Sequence, residues 1–131
     1  GEIASTITNI EGASNVFEFS AVTYSNEYKI KMGVNKEVIN KYSVYSIETA
    51  NEMSKTISKY TNANYSIGVT GQLKRKDPNN KTNEDNKIYI SIYNKDNDTY
   101  HNKIIIADKL TRKANKKKVV KTIIQMFNNI L

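Results

Sequence analysis

Six consecutive residues, Tyr24-Ser25-Asn26-Glu27-Tyr28-Lys29, bring a phenol, a hydroxyl, an amide and an amine together in the chain. If a helix starts at Asn26, its first backbone amides favour an anion. The competing reading is that Ser25 or Asn26 only caps that helix while Lys29 lies in solvent. A second group, Thr70-Gly71-Gln72, leaves an apolar run and has the form of a turn that lets a phosphate approach the backbone. Neither G-x-x-x-x-G-K-[ST] nor G-x-G-x-x-G occurs, so no nucleotide-fold motif supports that second group. Lys74-Arg75-Lys76 could hold a phosphate, although charge runs in loops are usually solvated.

Much chemistry is excluded. The chain has no Cys, which removes thiolate zinc sites, disulfides and a cysteine nucleophile, and its single His101 cannot build a histidine cage or a choice of triad bases. Asp77, Glu84 and Asp85 match no dedicated cation loop. No metal and no organic cofactor is expected. Triplets beginning at Asn64, Asn80 and Asn97 have the glycosylation pattern but carry no meaning without a secretory signal. With 131 residues, 38% hydrophobic and 25% charged, the chain has the size and composition of one folded domain. No apolar run reaches the roughly 18 to 20 residues that cross a bilayer. A soluble, cytoplasmic domain without a membrane partner is expected.

The formal net charge of +7 is local. Residues 109–121 hold seven basic groups and no acid, whereas the other 118 residues hold thirteen of each. Only Arg75 and Arg112 are arginine, the residue that base-reading surfaces favour for its fork of donors. Abundant Lys, Asn and Ile fit the codon usage of an AT-rich genome. On composition, nucleic acid is therefore not the expected partner.

Periodicity supplies the elements that position these residues. Ile3 and Ile7 share a helix face, and Gly12 and Ser14 mark a turn. FEFSAVTY (17–24) alternates as a strand does. NEYKIKM forms a short helix stopped by Gly33, VNKEVINKY another, and Ser46 caps a long helix carrying Ala50, Met53, Ile57 and Tyr60. YSIGVTG reads as a buried strand, and the polar stretch 72–86, with the only proline, Pro78, as a long loop. KIYISIY and HNKIIIA form a hairpin, and a last helix from Arg112 carries Val120, Ile123, Ile124, Phe127 and Leu131 on one stripe. The predicted architecture is an α/β domain, a three-layer α/β/α sandwich with a mixed β-sheet. In such a sheet ligands sit beyond the strands' carboxyl ends, where Tyr24–Lys29 and Thr70–Gln72 fall.

Taken together, these segments resemble the CinA C-terminal domain family, the competence/damage-inducible proteins and their stand-alone relatives. Residues 7–29 are similar to the family's T-x-x-x-G-x-S-x-x-F followed by V-T-Y-S-N-x-x-K, here Thr8, Gly12, Ser14 and Phe17, then Val22-Thr23-Tyr24-Ser25-Asn26 and Lys29. Val44-Tyr45-Ser46 and IGVTG (67–71) also fit, and Arg112 stands where the family places an arginine, with Leu110-Thr111 replacing the usual aspartate and glycine. The resemblance implies hydrolysis of the amide of nicotinamide mononucleotide (NMN) by a serine nucleophile and a lysine base, without metal or cofactor. It implies Lys29 as general base, Tyr24 as a site-lining hydroxyl and Arg112 as a phosphate or charge partner. Ser25, Asn26, Thr70 and Gly71 would contact the small-molecule nucleotide, and the family's tendency to pair implies a homodimer.

Two departures qualify what the resemblance implies. The family's serine lies in an E-S-x-T-G-G segment whose last glycine matches Gly1, so the nucleophile is missing from residues 1–131: either a first strand and that segment have been lost, or they lie ahead of the numbered chain. QLKRKDPNN follows Gly71 where commoner members carry A-G-P-x-G-G. A catalytically silent nucleotide-binding or regulatory domain is the alternative, and nucleic-acid association through residues 109–121 is a third reading.

Overall fold

The structure is a computed structural model that describes residues 1–73 and 86–131. Helix α1 (Glu2–Thr8) is followed by a 3-10 turn at Ala13–Asn15, then α2 (Asn26–Met32), α3 (Lys36–Tyr42) and α4 (Ile47–Ser58). Strands β1 (Tyr65–Gly71), β2 (Lys87–Asn94) and β3 (Thr99–Ile106) precede the long α5 (Arg112–Ile130). Four helices start at capping side chains: Ser25, Asn35, Ser46 and Thr111 each accept a hydrogen bond from a first-turn amide.

The three strands form one antiparallel sheet in the order β1-β2-β3. Alternation along β1 and β2 sends two different surfaces to two different helices. On one face Ile88, Ile90 and Ile92 join Val119, Ile123 and Met126 of α5, with Ile3 of α1 and Ile67 and Val69 of β1 packed against them. The opposite face is built from small and hydroxylated residues, and α4 lies close on it. A Cβ on Gly68 would come within 2.4 Å of the Ala50 carbonyl oxygen and 2.7 Å of the Ser54 amide nitrogen, so only glycine allows that approach. The Ser54 and Ser91 hydroxyls, both fully buried, meet at 2.9 Å between helix and sheet.

The α/β class and the helix–sheet–helix layering agree with the sequence reading, but the mixed sheet does not appear among the described residues. Its expected further strand, 17–24, is irregular. Alternation prepares two faces, yet a strand also needs a neighbour to fill its backbone hydrogen bonds and a layer to bury one face. Most of 17–24 is exposed, and side chains hold it instead: Phe19 stacks on Tyr60 at 5.9 Å, and the Glu18 carboxylate accepts the Asn62 amide at 2.8 Å. The helical stripes are also rotated. In α5 the sheet takes Val119, Ile123 and Met126, while Ile124 and Leu131 are exposed.

Candidate functional site

Lys29 is the amine that the fold turns inward. Ser25 caps α2 by accepting the Tyr28 amide at 3.1 Å, which sets the first turn and leaves Lys29 one turn along on the inner face. Only 7% of Lys29 is exposed, and its Nζ donates to the Thr23 carbonyl oxygen at 2.7 Å. Burial disfavours the ammonium and holds the Lys29 pKa below its ordinary 10.5. The segment thus loops back on itself, with Thr23 before the helix receiving the lysine from within it.

The other sequence-predicted residues divide. Tyr24, beside Thr23, is 82% exposed, and Asn26 is exposed at the start of α2. Ser25 spends its oxygen on the cap. Thr70 is buried and donates its hydroxyl to the Val44 carbonyl oxygen at 2.8 Å, tying the end of β1 to the loop before α4. Gly71 pairs with Ile88, and a Cβ there would lie 2.7 Å from the Ile88 Cα, so close strand packing together with a φ of 157° accounts for this glycine. Arg112 is exposed in the first turn of α5, and among the described residues no hydrogen bond or ion pair joins it to Lys29 or Tyr24. Lys74-Arg75-Lys76, Asp77, Glu84, Asp85 and all of the departing stretch 72–80 beyond Leu73 lie outside the described residues. His101 sits in β3 opposite Ile92. No group of three His, Cys, Asp or Glu able to hold a metal occurs among the described residues, and none of their helices is long and apolar enough to cross a membrane.

A cleft of about 420 Å³ is lined by Thr8, Ile10, Gly12, Ala13, Ser14 and Phe17. The four motif positions upstream of Val22 therefore share one concavity. Gly12 makes this possible with φ 85°, the left-handed turn that starts the 3-10 segment. Sequence reasoning missed Thr23 and Ser43. Both act through backbone carbonyls, Thr23 toward Lys29 and Ser43 toward the hydroxyls of Ser46 and Thr49, and a carbonyl leaves no mark in residue type.

The sequence model of the CinA C-terminal domain matches residues 1–131. The chain belongs to the CinA C-terminal domain family. It is 44% identical to a CinA-like protein of Flavobacterium psychrophilum over 72 residues, 54% of this chain and 17% of that protein. It is 46% identical to a CinA-like protein of Fervidobacterium nodosum over 72 residues, 54% of this chain and 18% of the relative. The matched part is thus under a fifth of these relatives' length. Among solved structures, the competence/damage inducible protein CihA from Agrobacterium tumefaciens superposes with a TM-score of 0.83 at 25% identity, covering 97% of this chain and 76% of that one. A CinA superfamily protein from Escherichia coli gives 0.83 at 18% identity, covering 100% and 74%, and so shares the fold. The segment that buries Lys29 is thus part of a CinA domain.

Proposed function

We propose that the protein to which this CinA domain belongs hydrolyses the carboxamide of NMN to nicotinic acid mononucleotide and ammonia. The observation that carries the reading is Lys29, an amine buried beside the Thr23 carbonyl within V-T-Y-S-N-x-x-K. With its pKa depressed, a larger share of this amine is neutral near neutral pH and able to accept a proton. In the proposed reaction a serine of the E-S-x-T-G-G segment, which residues 1–131 do not contain, attacks the carboxamide carbon as its proton passes to Lys29. The C–N bond then breaks, ammonia leaves with that proton, and water hydrolyses the serine ester through the same lysine. Thr8, Gly12 and Ser14 line the cleft offered to the nucleotide, and the family resemblance gives Arg112 the role of charge partner and Tyr24 that of a site-lining hydroxyl. A homodimer is part of the proposal, measured by sedimentation.

The test is ammonia release from NMN by a polypeptide carrying the E-S-x-T-G-G segment ahead of Gly1. Turnover lost in a folded Lys29→Met variant supports the reading, and no turnover by the extended, folded protein overturns it. A second reading, a nucleotide-binding domain without turnover, rests on QLKRKDPNN standing after Gly71 in place of A-G-P-x-G-G. Calorimetry that detects NMN binding without hydrolysis selects it.

A further inference from the structure

We propose that the exposed face of α5 binds the phosphate backbone of nucleic acid, with Lys113, Lys117 and Lys121 as its central contacts and Lys109 and Arg112 at its upstream end. Residues 113, 117 and 121 follow i, i+4, i+8 spacing, and all three are exposed. Along a helix this is a row of amines about 12 Å long, with about 6 Å between neighbours. The inner face of the same helix is taken by Asn115, Val119, Thr122 and Ile123, so the row is fixed outward. Lys118 is turned aside, bonded to the Ile106 carbonyl oxygen at 2.7 Å and to Asp108 at 2.9 Å, and it neutralises that acid. Among the described residues none of the five proposed contacts has a salt bridge. Glu2 of α1 lines one side of the row in a cleft shared with Lys117 and Lys121.

This arrangement costs the isolated domain stability. Like charges at i, i+4 repel, and the first turn of α5 holds basic residues and no acid, against the helix dipole. Codon usage does not account for it, because it would raise lysine everywhere, and outside 109–121 the thirteen basic and thirteen acidic residues balance. A polyanion laid along the row offsets both costs. The scarcity of arginine argued against reading bases, but backbone phosphates need only point charges, which lysine supplies. An anionic membrane is the competing occupant, because Val120 and exposed Ile124 share the cleft with Lys117 and Lys121, and the vesicle arm of the test separates the two.

The probe is a random-sequence 20-base-pair DNA duplex, with binding followed by fluorescence anisotropy across a salt series. For three to four phosphate contacts, tripling the monovalent salt weakens binding about 20- to 50-fold. Lys113→Glu/Lys117→Glu/Lys121→Glu abolishes binding, while its circular dichroism and cooperative thermal melt show that the domain stays folded. An equal charge change elsewhere, Lys36→Glu/Lys41→Glu/Lys59→Glu, leaves most of the affinity. No binding in low salt, a flat salt dependence, equal loss in both triple variants, or tighter binding to phosphatidylserine vesicles than to the duplex overturns the proposal.

Discussion

Lys29 Nζ lies 2.7 Å from the carbonyl oxygen of Thr23, six residues back along the chain. An amine that could have stayed in water has been drawn against the backbone that leads into its own helix. Burial accounts for the lowered pKa, and the carbonyl supplies a polar partner that makes the burial tolerable.

The sign of the resulting pH dependence follows. The unfolded chain holds its lysine proton up to 10.5, the folded chain releases it earlier, and between those two values folding sheds a proton. Stability therefore rises with pH across that window and is lost as pH falls through the folded pKa. Lys29→Met removes this contribution. Thermal melts of both proteins, from near neutral pH to 10.5, should show a steeper rise for the native chain; parallel curves would refute the shift.

Ser43 carries φ 77° and ψ 157° between α3 and α4, a region that glycine occupies readily and serine does not. Its carbonyl accepts hydrogen bonds from Ser46 and Thr49, which hold the strained turn in place. Ser43→Gly keeps both and loses only the 3.2 Å bond from the Tyr45 amide to the Ser43 hydroxyl. It is expected to stabilise the domain by about 1 kcal/mol, read from the urea midpoint. Ser43→Val should lower that midpoint.

Gly68→Ala places a methyl where Ala50 and Ser54 backbone atoms already stand. Because backbone cannot rotate aside, α4 must lift from β1, and a loss of about 3 kcal/mol or more is expected in the same unfolding assay. A loss under about 1 kcal/mol would mean that the helix is not seated as described.

For the buried hydroxyl pair, removing one partner should cost more than removing both. Ser54→Ala leaves the Ser91 hydroxyl without its partner in a dry site, at about 1 to 3 kcal/mol, whereas adding Ser91→Ala should recover part of the loss. A double-mutant cycle with no coupling would show that the two hydroxyls do not interact.

How much of this was legible beforehand varies with the range of the interaction. Helix caps were readable, because Ser25, Ser46 and the turn at Gly33 act on amides within a few residues. The hairpin of β2 and β3 was readable for the same reason, its turn lying between two apolar runs. The strand expected at 17–24 was not borne out, since pairing depends on a distant neighbour that alternation does not name. In α4 Ala50 of the predicted stripe is buried as expected, but Ser54 is buried beside it while Met53 and Ile57 are only half-buried, because Gly68 lets the helix approach on its small residues.

The linear chain by itself determined the cap positions, the concentration of charge in 109–121 and the motif that marks the family, all properties of residue type and short spacing. Only the tertiary structure decided that Lys29 points inward, that the amines of α5 form an outward row, and that Thr70 is spent on Val44. Those outcomes depend on which surfaces a helix or strand finds to cover it. Burial is a property of the assembled layers, and it alone turns a lysine from a solvated charge into a candidate base.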